Sequence, residues 1–292
     1  MAKRRPPSVH GLLVIDKPGG MTSHDVVGLV RRRLGERRVG HAGTLDPDAT
    51  GVLLVGVGSV TRLMRFMTEQ PKQYTCDVVF GVETSTLDDS GEVTATHEMS
   101  VSLEAAQQVA EDHLTGEIMQ VPPMVSAIRI AGRRLHELAR EGIEVERQAR
   151  PVTIYALGLE STDDPMVLRL TATCSSGTYV RTLAADLGRL LGGGAHLKNL
   201  RRNAIGVFGE QEARSIDDAE LLPPSEAVRF MTKVVMQPDA VESVRQGRPM
   251  PSFIGPAPWA LLDVDEQLLA VYEPFRDGLA KPAVVLIGAF DQ

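Results

Sequence analysis

Cysteine and aromatic side chains are scarce in this chain of 292 residues, which contains two cysteines and 4% aromatics. Cys76 and Cys174 form no metal-binding pattern, and we interpret both as reduced residues of strands. The sequence also has no apolar run long enough for a membrane-spanning helix. The basic N-terminus is followed by neither the apolar segment nor the cleavage site of a signal peptide. The sequence therefore predicts a cytoplasmic protein.

The motifs of cofactor-dependent and metal-dependent chemistry are missing as well. The seven histidines have no spacing typical of metal ligands. Residues 192–194 are three glycines, but they lack the lysine and serine or threonine, or the helix context, of a phosphate-binding loop. No Ser-His-Asp order can be defended. Any chemistry is expected to rest on carboxylate, tyrosine and arginine side chains, with no cofactor and no metal.

The charge is unevenly distributed, although the net charge is −7. Residues 1–75 contain twelve Lys/Arg and six Asp/Glu, residues 76–125 contain ten Asp/Glu and no Lys or Arg, and residues 126–150 contain six Arg and four Glu. Because the local potential decides whether a polyanion docks, the basic regions favour an RNA-binding surface. A solvated helix face explains the arginines at positions 31–33, 37 and 38 equally well.

The length and the apolar patterning favour one large domain, or a large domain with a small one, of the α+β class. Helices are predicted over residues 24–34, 60–68, 102–114, 133–140 and 178–191. Strands are predicted over residues 11–15, 51–57, 73–80 and 126–130, and in a hairpin of 152–159 with 166–174. From about residue 226 the chain predicts a β-rich module, with strands at 259–264, 268–272 and 283–287.

The most informative segment runs from Gly40 to Gly51, with the sequence Gly-His-Ala-Gly-Thr-Leu-Asp-Pro-Asp-Ala-Thr-Gly, and leads into an apolar strand. Pro47 restricts Asp46 to extended geometry, so the carboxylate is held on a stiff loop. Such a loop suits an active site. Taken alone, it is more often a structural turn, and Asp48 is a rival for any role given to Asp46.

Three further features are weak when each is taken alone. A tyrosine such as Tyr74, at the start of a strand, is usually a half-buried core residue. Arg181 lies in the first turn of a predicted helix, where the dipole disfavours a cation, so a carboxylate partner is expected. The pair Arg201 and Arg202 would usually be exposed to solvent, with phosphate contact as the less common role.

Together these segments closely resemble the bacterial TruB-type tRNA pseudouridine synthases, in order, through roughly residues 10–210. The resemblance rests on Leu-Val-Ile-Asp-Lys-Pro at 13–18, the loop at 40–51, Ser-Ser-Gly-Thr-Tyr-Val-Arg-Thr-Leu at 175–183, and Gly-Ala-His…Leu-Arg-Arg at 194–202. It implies a mixed, largely antiparallel central sheet flanked by helices. The implied domains are a catalytic domain of residues 1–225, with an RNA-clamping insertion at about 120–148, and a small PUA-like RNA-binding module of residues 226–292.

The implied activity is isomerisation of uridine 55 in the T-arm loop of tRNA to pseudouridine. It proceeds by base flipping, glycosidic bond cleavage and reattachment at C5. The implied enzyme is a monomer that needs neither a cofactor, a protein partner nor a membrane. The order of chemical steps, with Asp46 attacking C1′, adding to the pyrimidine or acting as a base, stays open.

The resemblance also assigns roles to single residues. Asp46 is the nucleophile, Arg181 pairs with it, and Tyr74 stacks on the flipped uracil and can take part in removing the C5 proton. Tyr179 lines the base pocket, and the backbone of Leu200 contacts the base edge. The remaining assignments are His41 as a support for the flipped loop, Arg62, Arg201 and Arg202 as phosphate contacts, and Arg129, Arg133, Arg134 and Arg140 in the clamp. We interpret Lys17 as a structural residue, with RNA contact as the less common role.

Two alternatives differ in class from this enzyme. One is an RNA-binding or tRNA-folding chaperone without catalysis, and the other is a synthase that acts on another RNA, such as a guide-RNA-dependent relative. Asp46, Tyr74 and Arg181 are all present, which favours catalysis, since an inactive relative is expected to have lost at least one. The length, with no long basic extension, argues against a guide-dependent enzyme.

Overall fold

The structure, a computed structural model, describes residues 6–126, 128–130 and 132–288. It divides into two compact units. The first contains residues 1–70 and 205–292, and the second contains residues 71–204. This division cuts across the predicted boundary between residues 225 and 226, because the C-terminal residues pack with the N-terminal ones. The assignment of a catalytic domain and a PUA-like module stays a prediction.

The strands, in chain order, are β1 (Gly11–Lys17), β2 (Val39–Ala42), β3 (Thr50–Val57), β4 (Lys72–Phe80), β5 (Val82–Thr84), β6 (Val93–Thr96), β7 (Gly116–Gln120), β8 (Arg129–Ile130), β9 (Arg133–Arg134), β10 (Arg150–Ser161), β11 (Val167–Cys174), β12 (Ala195–Ile205), β13 (Phe208–Gly209), β14 (Thr232–Val235), β15 (Met250–Pro251), β16 (Trp259–Leu262), β17 (Leu268–Pro274) and β18 (Leu279–Val285). The α-helices are α1 (Ser23–Leu34), α2 (Met64–Thr68), α3 (Leu103–His113), α4 (Leu135–Arg140), α5 (Val180–Leu190) and α6 (Pro238–Arg245), and 3-10 helices span Gly58–Leu63 and Pro224–Val228.

In the first unit, β3 is the centre of two apolar layers. It pairs antiparallel with β1 and with β2. Because side chains alternate along a strand, Leu53 and Val55 face one layer, while Val52 and Leu54 face the other. Helix α1 covers the first layer and α2 the second. Because β3 is buried on both faces, it holds the end of the loop that leads into it in place.

The N-terminus of α1 is set by a capping box, in which Thr22 and Asp25 bind each other's backbone N–H groups. The box fixes where the helix begins, and therefore where the next residue, Ser23, lies. This confirms the predicted helix and assigns the cap to Thr22. The predicted helix over residues 60–68 is instead a 3-10 turn over Gly58–Leu63 followed by α2, because the hydroxyl of Thr61 binds the carbonyl of Gly58 and tightens the first turn.

The C-terminal part of the first unit is a five-stranded sheet in the order β14-β16-β17-β18-β15. Ala260, Leu268 and Val271 of this sheet share an apolar cluster with Leu12 and Val14 of β1. The predicted β-rich character is therefore confirmed. The sequence prediction missed β14, β15 and α6, which are short.

In the second unit, β12, β4, β11, β10 and β7 lie side by side in that order. The pairs of β4 with β11, β11 with β10 and β10 with β7 are antiparallel. The hairpin of β10 and β11 and the helices α3 and α5 confirm the predicted elements. Helix α5 is buried along most of its length, which explains its strong apolar periodicity.

The predicted insertion contains less regular structure than expected. The predicted strand over residues 126–130 is reduced to β8, which pairs with β9 across a turn at Gly132 with φ of 84°. Because that turn reverses the chain, the helix starts at Leu135 instead of at residue 133. Arg133 is exposed and forms an ion pair with Glu141. The side chains of Arg129, Arg134 and Arg140, also assigned to the clamp, lie outside the described residues.

Candidate active site

Asp46 lies in the loop between β2 and β3, and its side chain is half-buried, whereas that of Asp48 is exposed. The chain reverses within seven residues, and Gly43 adopts a φ of 83°, which glycine accepts without strain. Of the two acids, Asp46 is the better candidate for the catalytic carboxylate, because its side chain is more buried and is surrounded more by protein.

The backbone on both sides of Asp46 is fixed by hydrogen bonds. The hydroxyl of Ser23 accepts from the N–H of Leu45 at 2.9 Å and donates to its carbonyl at 3.3 Å. The carbonyl of Pro47 accepts from Nζ of Lys17 at 2.8 Å and from the N–H of Met21 at 3.2 Å. The aspartate is thus the middle residue of a three-residue segment that is held at both ends.

Lys17 is fully buried at the end of β1. Besides Pro47, its ammonium group donates to the carbonyls of Pro18 at 2.9 Å and Met21 at 2.5 Å. A buried ammonium group needs such partners, because leaving water without them costs several kcal/mol. Lys17 was predicted to be structural, and its hydrogen bonds specify that role: Lys17 joins the end of β1 to the Asp46 loop.

Two other predicted RNA contacts lie in the same unit. His41, in β2, is half-buried and stands opposite Val55 of β3. Arg62 is exposed in the 3-10 helix, where its Nη1 donates to the carbonyl of Val285 at 2.6 Å. That bond orients one edge of the guanidinium group.

Arg181 is a buried cation of the second unit. It lies in the first turn of α5 and is 4% exposed. Its Nη1 donates to the carbonyl of Thr86 at 2.9 Å, its Nη2 donates to the carbonyl of Val125 at 2.8 Å, and its Nε is 3.5 Å from Oδ2 of Asp88. The unfavourable helix position is therefore matched by a carboxylate, as expected. Asp46 belongs to the other unit, and its predicted pairing with Arg181 stays a prediction.

Asp88 was not predicted as a site residue. Its Oδ1 accepts from the hydroxyls of Thr86 at 2.5 Å and Ser90 at 2.6 Å, and from the N–H of Ser90 at 3.2 Å. These bonds occupy one carboxylate oxygen and turn the other towards Arg181. Leu87, just before it, adopts a φ of 64°, which is unusual for leucine and shows how tightly the loop is constrained.

The predicted base-pocket residues Tyr74 and Tyr179 are held by their backbones. Tyr74 lies in β4 opposite Ala172 of β11, and is buried. Tyr179 caps α5, and the buried amide of Gln120 clamps it: Oε1 accepts from the N–H of Tyr179 at 2.8 Å, and Nε2 donates to its carbonyl at 3.1 Å. Sequence reasoning missed Gln120, because the two residues are 59 positions apart.

Leu200, Arg201 and Arg202 all lie in β12. Leu200 and Arg201 are half-buried. Arg202 is 1% exposed, so the expectation that both arginines face solvent is wrong for this one. The reason is the alternation of side chains in a strand, which turns neighbouring residues to opposite faces.

Neither a metal cluster nor a membrane helix is found in the described ranges. Within them, no group of three or more His, Cys, Asp and Glu side chains is arranged to hold a metal ion. In the same part of the chain, no helix is long and apolar enough to cross a membrane.

The N-terminal domain model of the TruB family of pseudouridylate synthases matches residues 31–180, which is more than half of the chain. The chain belongs to the TruB family. The model of the tRNA pseudouridylate synthase B C-terminal domain matches residues 181–226 of this TruB chain. The predicted family and its enzyme class, an isomerase, are therefore confirmed. Asp46 and Tyr74 lie in the first matched range, and Arg181, Leu200 and Arg201 lie in the second.

Curated TruB relatives match almost the whole chain. A protein of Arthrobacter sp. (strain FB24) is 40% identical over 97% of this chain and 98% of its own length, and one of Thermobifida fusca is 42% identical over 96% and 99%. Both are named tRNA pseudouridine synthase B. These names favour a tRNA enzyme, and they lend no support to the non-catalytic alternative or to a guide-dependent one.

The fold is shared with more distant structures. The described chain is similar to a chain in the structure of an H/ACA RNP bound to a substrate RNA containing 2′-deoxyuridine, with a TM-score of 0.69 and 22% identity. The match covers 94% of this chain and 83% of the other. This likeness concerns the fold alone, and it confirms the predicted pseudouridine synthase fold.

Proposed function

We propose that this TruB-family protein isomerises uridine 55 in the T-arm loop of tRNA to pseudouridine, and that the reaction depends on the carboxylate of Asp46. The observation that carries the proposal is the anchoring of both neighbours of Asp46, by Ser23 at Leu45 and by Lys17 at Pro47. A shift of the loop would break these hydrogen bonds. Catalysis at a single sugar carbon needs a group that is aimed in this way.

The chemistry fits this set of residues. The bond between C1′ and N1 breaks, the uracil turns, and a bond between C1′ and C5 forms. The C5 proton is lost, a proton is taken up at N1, and no electrons are gained or lost. A carboxylate can attack C1′, add to the pyrimidine or act as a base on the sugar, and each route needs it ionised and fixed. The proposed reaction uses no cofactor.

The target base must leave the stack of the folded RNA loop before it can react. Aromatic and polar contacts in a pocket offset the stacking that is lost. We assign stacking on the uracil to Tyr74, the wall of the pocket to Tyr179, contact with the base edge to the backbone of Leu200, and support of the opened loop to His41.

Phosphate contacts are assigned to Arg62 and Arg201. Arg62 is exposed and Arg201 is half-buried, whereas the burial of Arg202 argues against a phosphate contact there. The insertion at about 120–148 is proposed to clamp the T-arm, and the β-rich tail is proposed to contact a further part of the tRNA. We also propose a cytoplasmic monomer, which sedimentation with and without tRNA would test.

The experiment is tritium release from a T-arm stem-loop RNA that carries tritium at C5 of the target uridine. Wild type is compared with Asp46→Asn and with the matched control Asp48→Asn, and RNA affinity is measured for all three by filter binding. We expect release by wild type and by Asp48→Asn, and none by Asp46→Asn. The affinity of Asp46→Asn should stay within about threefold of wild type, because phosphate contacts dominate RNA binding.

The other outcomes separate the alternatives. If neither wild type nor the variants release tritium while wild type binds the RNA tightly, the protein has an RNA-folding role without catalysis, or its substrate is another RNA. If Asp48→Asn alone is inactive, the catalytic acid is Asp48. If Asp46→Asn loses binding and fold together, the residue is structural and the assignment fails.

A further inference from the structure

Strand β12 contains one residue with a conformation foreign to strands. Asn199 adopts a φ of 54° in the middle of β12, directly before Leu200. Such a φ is costly for most residues, and asparagine tolerates it because its short amide can form local hydrogen bonds. A left-handed residue in a strand produces a local bulge, which re-aims the residue that follows.

The amide of Asn199 is held by a buried carboxylate. Its Nδ2 donates to Oδ2 of Asp77 at 2.8 Å. Asp77 lies in β4 and is 8% exposed. Its Oδ1 accepts from Nε of Arg169, the residue opposite it in β11, at 3.0 Å. Both carboxylate oxygens are thus engaged, and the negative charge is compensated by the guanidinium group.

This arrangement is a chain of three side chains across three neighbouring strands, from Arg169 through Asp77 to Asn199. Arg169 is half-exposed and compensates the charge of Asp77, while Asp77 holds Asn199, the residue of β12 with a positive φ. The backbone angles of Asn199 decide the direction of the N–H group of Leu200, because that group lies in the peptide plane that joins Asn199 to Leu200.

We propose that Asp77, acting through Asn199, is a positioning residue that aims the backbone of Leu200 at the edge of the flipped uracil. The inference rests on the proposed function, because Leu200 has its role only there. Asp77 touches no substrate atom in this proposal. Its effect is to keep the peptide of Leu200 in one orientation while the uracil is detached from the ribose and turns.

A plain structural tie between β4 and β12 is the competing explanation, and the structure offers a matched control for it. Thr75, two residues before Asp77, donates its hydroxyl to Oδ1 of Asn203 at 2.9 Å. This bond also joins β4 to β12, but it lies beyond Leu200 and holds no residue with a positive φ among those that the structure describes. Thr75→Val therefore removes a comparable tie without freeing the bend.

The test uses the full chain and measures kcat and KM for tritium release from the T-arm stem-loop. Asn199→Gly keeps the backbone angle accessible and removes the amide. We expect its kcat to fall about tenfold, the size of one well-aligned hydrogen bond, with KM changed less than about threefold because phosphate contacts dominate affinity. Asp77→Ala should behave in the same way.

Two further variants separate positioning from stability. Asp77→Asn keeps an oxygen that can accept from Asn199, so we expect its kcat to recover to within about threefold of wild type, since one hydrogen bond of this kind is retained. Thr75→Val should lower the melting temperature as much as Asn199→Gly does while leaving kcat unchanged. If Thr75→Val and Asn199→Gly lower kcat equally, or if Asn199→Gly turns over at the wild-type rate, the inference is overturned.

The outcome for wild type distinguishes this inference from the proposed function. If wild type releases no tritium, the proposed function fails and the inference falls with it. If wild type is active and Asn199→Gly is equally active, the proposed function stands and the positioning role alone is wrong.

Discussion

Arg181, in the first turn of α5, has its Nε 3.5 Å from Oδ2 of Asp88, in the loop between β5 and β6. The guanidinium group is buried, and its other nitrogens meet the carbonyls of Thr86 and Val125. Carbonyl groups offer only partial charges. Asp88 is the full negative charge that the described contacts within the second unit place beside this cation.

Replacing Asp88 should impair both turnover and stability. In Asp88→Ala, Arg181 stays buried and keeps the carbonyls of Thr86 and Val125 but loses the carboxylate of Asp88. Removal of one partner of a buried ion pair destabilises a protein by about 3 kcal/mol. We expect kcat for pseudouridine formation to fall at least about tenfold, because the guanidinium group loses one of the contacts that hold its orientation. Urea unfolding and tritium release measure the two effects.

The neighbouring Asp89 is exposed and provides the control. Asp89→Asn changes the same charge on the same loop, and its activity should stay within about twofold of wild type, as for most surface substitutions. Equal activity of the Asp88 and Asp89 variants would mean that Arg181 does not depend on Asp88.

Lys17 should be required for the geometry of the Asp46 loop. Lys17→Met fills similar volume, but it leaves the carbonyls of Pro18, Met21 and Pro47 without their ammonium partner. We expect the free energy of unfolding to fall by about 3 kcal/mol, since three hydrogen bonds from a charged donor are lost together. Turnover should fall as well, because Pro47 adjoins Asp46.

Two controls separate loop geometry from general stability in this case. Lys233→Met removes an exposed lysine from β14 of the same unit, and it should change neither turnover nor the free energy of unfolding. Ser23→Ala frees Leu45 on the other side of Asp46 without removing a charge, so turnover should fall with a smaller loss of stability. An active Lys17→Met enzyme with wild-type stability would show that the three carbonyl contacts are dispensable.

The elements that carry the site could be predicted from local patterns. The apolar run after Gly51 indicates a buried strand, and glycine and proline around Asp46 indicate a stiff loop, as the structure has them. Helix α1 begins at Ser23, one residue before the predicted start at residue 24. These features depend on interactions within a few residues, which a sequence displays directly.

The partners of the site residues could not be predicted, because they depend on contacts between distant segments. Lys17 meets Pro47 across 30 positions, and Gln120 meets Tyr179 across 59. Asp88 lies in a loop with two other carboxylates, Asp89 and Glu92, and no periodicity distinguishes it from them. The burial of Arg202 follows from the register of β12, which two adjacent arginines do not reveal.

The two cysteines should be inert in the folded protein. Burial raises the pKa of the Cys174 thiol to about 11, and burial likewise raises that of Cys76. Both thiols are almost inaccessible. Since the thiolate is the reactive form, iodoacetamide near pH 8 should leave native protein unlabelled, and should add two groups per chain in urea.

The same shift predicts a loss of stability in alkali. Below the ordinary thiol pKa, Cys174 is protonated in both folded and unfolded chains and makes no difference. As the pH rises from there towards about 11, the unfolded chain releases a proton that the folded chain retains, so the free energy of unfolding falls. In Cys174→Ala, the free energy of unfolding, measured with urea, should change less with pH over this range. If Cys174 of the native wild type were instead labelled at the rate of free cysteine, β11 would have to open. Strand β11 leads into the segment that contains Tyr179 and Arg181.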